Sequence, residues 1–263
     1  MAIRVGVFGA TGRMGRTVCE AVVGDPALEL VAAVDPHHEG LDLRPVTGVD
    51  ADLVILGQAE GLTDLAIDVV VDFTRAEAAR ANLVWAAEAG IHAVVGTTGL
   101  SESDHAELAR VFIKSNCIVA PNFAIGAVLM MRFAELAAPF FESAEIIELH
   151  HELKVDAPSG TAVLTAERMA AASGDWTADP TTDEVLPGAR GGTGPAGIPV
   201  HSVRLRGMVA HQEVLLGTTG QSLTIRHDSY DRTSFMPGVL LAVKAVADHP
   251  GLTVGLDALL DLG

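Results

Sequence analysis

The stretch "IRVGVFGATGRMG", residues 3–15, constrains the fold more than any other part of the chain. An uninterrupted β-branched run feeds Gly9, Gly12 and Gly15 at three-residue spacing, and a helical pattern opens at Arg13. A turn without side chains lets backbone N–H groups at a helix N-terminus approach a pyrophosphate. The spacing, G-x-x-G-x-x-G, is a variant of the usual fingerprint, and alone it is a weak signal that a tight turn holding no ligand would also give. The context decides: "LELVAAVD" ends a second strand on Asp35, about 20 residues on, where a carboxylate accepts hydrogen bonds from adenosine ribose hydroxyls. The candidate dinucleotide site is therefore Gly9, Ala10, Thr11, Gly12, Arg13, Met14, Gly15 and Asp35. Arg13 either reaches a 2′-phosphate or is a solvated helix residue.

The same grammar continues through "DVVVDF", a helical pattern over Ala76–Ala89, "HAVVGTT", a second over Ser101–Lys114, and "CIVAP". Continuous apolar strands separated by helices mark a parallel sheet covered on both faces. With 49% hydrophobic residues but only 4% aromatic, the core is mostly Ala, Val and Leu, which suits helices packed on such a sheet. The expected fold is α/β, a doubly wound (Rossmann-like) domain. From Ala144 the pattern changes: "AEIIELHH" reads as a strand, Ser159–Ala172 as a helix, and Leu186–Pro199 as a loop rich in glycine and proline. The runs "VHSVRLRG", "HQEVLLG" and "SLTIRHDS" follow closely enough to be expected as antiparallel neighbours. This predicts a smaller α+β lobe for substrate binding and oligomerisation over 122–231. The dinucleotide domain would comprise 1–121 and 232–263, with a helix at Ser234–Ala247 returning to it.

Lys and Arg number 17 against 34 Asp and Glu, a net charge of −17, so the overall field repels nucleic acid and anionic membrane. Any anionic ligand must be caught by local cations. Cys19 and Cys117 are too few for a secreted disulfide framework and lack metal-ligand spacing; both read as buried fillers in a reducing compartment. The start of the chain runs straight into "IRVGVFG" with no charged-then-apolar leader, so a cytoplasmic protein is expected. The most membrane-like stretch, Phe123–Phe141, carries Arg132, Glu135 and Pro139 and reads as a core helix.

The segment "ELHHELKVDAPSGTA", Glu148 to Ala162, gathers an unusual density of polar groups beside a buried-looking strand. A zinc helix of the H-E-x-x-H kind would need a histidine at 155, where Val155 stands, so no metal site is expected. Any lone histidine here would read as a packed or solvated group. The clustering argues otherwise: His150, His151 and Lys154 end a strand, and Pro158, Ser159, Gly160 and Thr161 open a helix. Free N–H groups and the macrodipole at a helix N-terminus bind carboxylates, and Gly160 admits close approach. Together these groups suit a small acidic substrate; Ser159 is an N-cap in either reading.

In "GATGRMG", "VGTTG", "APNFAIGAV" and above all "ELHHELKVDAPSGTA", in matching order across nearly the whole chain, the sequence resembles the dihydrodipicolinate reductase (4-hydroxy-tetrahydrodipicolinate reductase) family of lysine and diaminopimelate biosynthesis. The resemblance implies reduction of a cyclic imine dicarboxylate to tetrahydrodipicolinate, with NADH or NADPH as hydride donor. Hydride addition to a conjugated imine leaves an enamine to be protonated, which calls for a general acid near neutral pH, and histidine has that intrinsic pKa. By resemblance His150 gives the proton, and Lys154 stabilises charge on the substrate nitrogen or donates instead. His151, Gly160 and Thr161 bind the carboxylates. The resemblance also places Gly96, Thr97 and Thr98 against the nicotinamide side of the cofactor, with Ala120, Pro121, Asn122 and Phe123 following the last strand. It brings Arg232 to the return into the cofactor domain, where loop stabilisation, substrate contact and a plain salt bridge remain open, and it implies a homotetramer. The other histidines, 37, 38, 92, 105, 201, 211, 227 and 249, read as structural or solvated.

One departure bears on the cofactor. Family members that use NADPH well often have a basic residue after the strand-two acid, whereas Asp35 is followed by Pro36. A carboxylate facing a 2′-phosphate is repulsive unless a cation offsets it, which leans the expectation to NADH, with Arg13, His37 or His38 permitting NADPH. Two rivals stand beside the reductase. A non-catalytic dinucleotide sensor would keep the glycine turn and Asp35 but have no use for the His-His-Lys and Ser-Gly-Thr groups. A dehydrogenase of another small dicarboxylate, such as an amino-acid semialdehyde, would use them differently.

Overall fold

The computed structural model describes residues 1–260; the last three positions of the expected return segment, 261–263, lie outside the described residues. In chain order the elements are β1 (Ile3–Phe8), α1 (Arg13–Gly24), β2 (Leu28–Val34), the short α2 (Leu43–Thr47), β3 (Val69–Asp72), α3 (Ala76–Ala89), β4 (His92–Val95), α4 (Glu102–Val111) and β5 (Cys117–Val119). Then come α5 (Ile125–Ala137), β6 (Ser143–His150), α6 (Gly160–Ala172), β7 (Gly192–Thr193), β8 (Pro199–Arg204), β9 (Ala210–Thr218), β10 (Gln221–Ser229), α7 (Met236–Ala245) and β11 (Leu252–Val254). Two compact units result: Met1–Phe123 together with the segment from Phe235 onward, and Ala124–Ser234.

The first unit is built on a six-stranded parallel sheet in the order β11-β5-β4-β3-β1-β2. All of β3 and β5 is buried, as expected where helices cover both faces of a sheet. On one face Phe8, Val34 and Val95 pack with Leu83 of α3, Leu108 of α4 and Phe112. A fully buried Leu or Phe of this kind contributes roughly 1.5–3 kcal/mol over an exposed one. α1 and α7 contact one another and turn Val18, Cys19, Val22, Val239 and Val243 inward. The thiols of Cys19 and Cys117 are free and buried, and burial pushes Cys19 up to about 12, so both behave as apolar filler. α4 starts on a capping box between Ser101 and Asp104, and Arg80 of α3 reaches the same carboxylate at 2.6 and 2.9 Å. The strand order reverses at β1, which has β2 on one side and β3 on the other. In such sheets ligands bind outside the carboxyl ends at the reversal.

The second unit holds a mixed five-stranded sheet, β10-β9-β6-β8-β7, against which α5 and α6 pack. Here one expectation is corrected. β9 and β10 are antiparallel neighbours, but β8 and β9 are not: β6 lies between them, parallel to β8 and antiparallel to β9. The crossover through α6 makes the β6–β8 pair parallel, and β6 takes the centre because it buries Ala144, Ile146 and Glu148 in alternation. The glycine- and proline-rich loop contributes the two-residue strand β7 against β8. Among the described residues no helix is long and apolar enough to cross a membrane.

Candidate active site

In the first unit the glycine turn leaves β1 directly. Gly9 has φ +68, in the left-handed region, and a Cβ on Gly15 would stand 2.0 Å from the Gly9 carbonyl oxygen. Both glycines are therefore demanded by the turn itself. Gly12 is the N-cap of α1, with no side-chain cap and no acid in the first turn, so the N–H groups that open the helix are open to an anion. Asp35, directly after β2, is tied to this turn: Thr11 donates to its Oδ2 through the hydroxyl, and its Oδ1 accepts from the His37 N–H at 3.1 Å. Burial alone would raise the Asp35 pKa; the donors of Thr11 and His37 and the nearby His38 outweigh it and hold the carboxyl below its ordinary value. An ionised acid beside an uncapped helix N-terminus is the donor and acceptor set that a dinucleotide's ribose and pyrophosphate require, so these residues fit the group. Arg13 is exposed at the start of α1, and His38 Nδ1 lies 3.1 Å from Thr11 Oγ1.

Along the same carboxyl edge, Phe8, Asp72, Val95 and Val119 are in register, so the residues after each strand leave side by side. Asp72, fully buried, organises this edge. It accepts from the Thr74 N–H and hydroxyl at 2.8 and 2.7 Å, the Thr97 hydroxyl at 2.9 Å and the Asn82 amide at 2.8 Å. Thr97 thus spends its side chain on Asp72, while Thr98 is exposed. Ala120 is buried and Phe123 packs on Phe73 with ring centroids 5.7 Å apart; Pro121 is exposed and Asn122 half-buried. Of these positions, Thr98 is exposed and Gly96 lies under the Phe73 ring, while the Thr97 hydroxyl is committed to Asp72 and the Phe123 ring to Phe73.

In the second unit, β6 ends on His150. Its Nδ1 lies 2.5 Å from Oε2 of Glu148, two residues earlier on the same strand face. Arg204, the last residue of β8, grips Glu148 with Nη1 to Oε2 and Nη2 to Oε1, both 2.8 Å, and donates to the Asp156 carbonyl at 2.7 Å. The Ser159 N–H donates to Glu148 Oε1 at 3.2 Å, and Ser159 Oγ accepts from the Ala162 N–H at 3.2 Å, capping α6. Lys154 extends its ammonium to Asp156 at 2.6 Å. His151 and Gly160 are exposed, and a Cβ on Gly160 would meet nothing within 4 Å, so packing does not require this glycine. Thr161 follows it, half-buried, in the first turn of α6. His150, Lys154, Gly160 and Thr161 are thus gathered by one strand end and one helix start.

The charges are balanced. Burial works against ionised Glu148, but Arg204, the Ser202 hydroxyl and His150 outweigh it and hold the carboxyl below its ordinary value. Burial pushes the His150 imidazole down; the Glu148 hydrogen bond and charge oppose this, and the Lys154 and Arg204 charges reinforce it, leaving the pKa lowered. A dicarboxylate brought against this cluster would raise it again.

Three of the other histidines have protein partners: His211 bonds Asp228 at 2.6 Å, His201 bonds Glu145 at 2.6 Å, and His92 accepts the Asn116 N–H at 3.0 Å. Arg232 is exposed in a short 3-10 turn. Cavities of ≈ 530 and ≈ 520 Å³ flank the 176–199 loop, lined by residues such as Trp176, Arg190 and Thr193; His150, His151 and Lys154 line neither. Glu148, Arg204 and Asp72 are the site residues that sequence reasoning missed.

Comparison with known proteins agrees along the whole chain. The dihydrodipicolinate reductase N-terminus family matches residues 3–123 and the dihydrodipicolinate reductase C-terminus family residues 126–260. The 4-hydroxy-tetrahydrodipicolinate reductase of Corynebacterium urealyticum is 51% identical over 267 residues, covering 99% of each chain. That of Cutibacterium acnes is 52% identical over 266 residues, again covering 99% of each. The dipicolinate-bound dihydrodipicolinate reductase of Paenisporosarcina sp. TG-14 superposes with a TM-score of 0.86 at 40% identity, over 98% of this chain and 99% of that one. An aspartate semialdehyde dehydrogenase of Vibrio cholerae shares the fold alone, at 12% identity and a TM-score of 0.58.

Proposed function

The chain belongs to the dihydrodipicolinate reductase family, and from that premise we propose that it reduces the cyclic imine dicarboxylate derived from 4-hydroxy-tetrahydrodipicolinate to tetrahydrodipicolinate. It is an NAD(P)H-dependent oxidoreductase of lysine and diaminopimelate biosynthesis. The observation that carries the substrate side is the cluster at the end of β6. His150 stands on a buried carboxylate, Lys154 is four residues on, and the N-terminus of α6 is open at Gly160.

When bound, the nicotinamide supplies a hydride to the conjugated imine, so that substrate, NADH and one proton balance tetrahydrodipicolinate and NAD⁺. The proton is the protein's task. Protonated His150 gives it from Nε2 to the enamine carbon, since Nδ1 is engaged by Glu148. Lys154 stabilises the charge on the ring nitrogen. His151 meets one substrate carboxylate; the Gly160 N–H and Thr161 hold the other, favoured by the helix dipole. Gly9, Ala10, Thr11, Gly12, Arg13, Met14 and Gly15 cradle the pyrophosphate, and Asp35 takes the adenosine ribose. Gly96, Thr97 and Thr98 with Ala120, Pro121, Asn122 and Phe123 border the nicotinamide, Thr97 and Phe123 through backbone. The ionised Asp35 favours NADH over NADPH. A homotetramer in the cytoplasm completes the proposal.

The test is NADH absorbance against enzymatically generated substrate, with a no-substrate control. Turnover should depend on the imine, and replacing His150→Gln and Lys154→Met together should lower kcat by about 10²–10⁴-fold while leaving the Kd for NADH as it was. Undiminished turnover in the double variant would remove the assigned acid.

A further inference from the structure

Hydride transfer and protonation do not by themselves call for a buried acid behind the proton donor, yet Glu148 is fully buried. Burying a carboxylate costs several kcal/mol, and a well-packed apolar residue serves stability as well or better. The four groups on Glu148 come from separate parts of the unit: His150 of the same strand, Arg204 of β8 through both nitrogens, the Ser202 hydroxyl, and the Ser159 N–H that starts α6. One carboxylate therefore joins the proton donor to the mouth of the helix assigned to the substrate carboxylate.

We infer that Glu148 is a positioning residue for His150, accepting the Nδ1–H so that the neutral imidazole is held in the Nδ1–H tautomer and Nε2 is the nitrogen that gives up and regains the proton. The two ring nitrogens of a histidine are set apart by the hydrogen bond that one of them makes, and 2.5 Å between Nδ1 and Oε2 supplies that bond. Arg204 is the second part of the device. Its bidentate grip keeps the carboxylate ionised, so that Glu148 accepts the Nδ1–H without becoming the proton's resting place. The charged groups that face the ring are Glu148 on its own strand, Lys154, itself paired with Asp156, on the following loop, and Arg204 on β8; across β6, the β9 residue opposite His150 is Ala210. Among the described residues Glu148 is the one anion that touches the ring, so its removal must make the imidazolium less stable. The inference rests on the reading of His150 as the proton donor.

Nitrogen NMR on the full-length, histidine-labelled protein reads the tautomer directly. The His150 signals are identified by their loss in His150→Gln. In the unaltered protein neutral His150 should carry its proton on Nδ1, and a proton on Nε2 would overturn the inference without any change at Glu148. In Glu148→Gln, which keeps shape but removes charge, the tautomers should mix. The limb of kcat that falls as pH rises, where the acid loses its proton, should move to lower pH, with a loss of about tenfold or more in kcat near pH 7 and an unchanged Kd for NADH. Glu148→Asp should restore part of the loss. If His150→Gln loses turnover but Glu148→Gln leaves tautomer and pH limb unmoved, the inference alone falls. If His150→Gln keeps full turnover, the donor reading falls, and the tautomer measurement then decides whether Glu148 orients the ring.

Discussion

Arg204 and Glu148 face each other as two parallel forks, Nη1 on Oε2 and Nη2 on Oε1, each at 2.8 Å, joining the ends of β8 and β6. The bridge is heavily committed, because the guanidinium also holds the Asp156 carbonyl and the carboxylate also holds His150 and Ser159. Removing one partner strands a buried charge. Arg204→Met should therefore cost about 3 kcal/mol, read as a drop in the urea midpoint at pH 7. Glu148→Gln combined with Arg204→Met should cost clearly less than the sum of the single changes. The pH dependence follows from the sign. Glu148 has a folded-state pKa held below its unfolded value, so its contribution is present above the unfolded carboxyl value, about 4.3, and is lost as pH falls through the folded one. The stability gap between Arg204→Met and the unaltered protein should accordingly narrow below about pH 4. A gap that stays constant down to acid unfolding would show that the bridge is not the source.

Gly160 is the position at which packing and the proposed binding role can be tested apart. With nothing within 4 Å of its would-be Cβ, a side chain there is no burden on the fold, and leaving glycine gains a little helix propensity. Gly160→Val should shift stability by less than about 1 kcal/mol, yet raise KM for the imine dicarboxylate about tenfold or more by covering the Gly160 N–H, with the Kd for NADH unchanged. An unaltered KM would take the first turn of α6 out of the substrate site.

What was legible in the sequence follows physical range. α3 runs over Ala76–Ala89, as its periodicity indicated, and Ser159 caps α6, because helix patterns and caps are written in neighbouring residues. Strand pairing is not: β9 chooses β6, whose paired residues lie 60 to 74 positions earlier, over the adjacent β8. β11 is three residues long and exists as a strand through its register with Cys117–Val119, which no local pattern announces. The same division holds in the site. Glu148 could have been found, since residues two apart share a strand face; Arg204, 56 positions from Glu148, carries no local signal. Thr97 was legible as part of a loop at the sheet edge, but its hydroxyl is committed to Asp72, a commitment visible only once β3 and β4 lie side by side.

Asp72 gives the corresponding prediction for the cofactor unit. Four donor groups from Thr74, Thr97 and Asn82 converge on one buried carboxylate. Asp72→Ala leaves them unsatisfied at a penalty of about 1–3 kcal/mol for each that stays buried and unpaired. A total loss of roughly 2–4 kcal/mol is expected in thermal unfolding. Thr97→Val removes a single donor, whose strong bond is to Asp72, and should cost about 1 kcal/mol. Both should weaken NADH binding in proportion to the disorder introduced at the loop after β4, with Asp72→Ala the more severe. If Thr97→Val were to abolish NADH binding while leaving stability intact, Thr97 would be a ligand contact and the bracing role would be wrong.

The cofactor preference turns on electrostatics at a few ångströms. Asp35 is held ionised by Thr11 and His37, and two like unit charges 4 Å apart repel by about 4 kcal/mol at an effective dielectric of 20. A 2′-phosphate beside this acid would meet such a penalty, whereas two ribose hydroxyls would donate to it. Arg13, exposed at the start of α1, would offset part of the repulsion, weakened by solvent screening. The ratio of kcat/KM for NADH over NADPH should therefore exceed one in the unaltered protein. Asp35→Ser should lower kcat/KM for NADH by about tenfold, the worth of a hydrogen bond to a charged group, while NADPH gains, so that the ratio moves by more than the NADH loss alone. Arg13→Ala should lower NADPH use more than NADH use. Equal losses for both cofactors in Asp35→Ser would mean that the acid serves the glycine turn through Thr11 and does not discriminate the ribose.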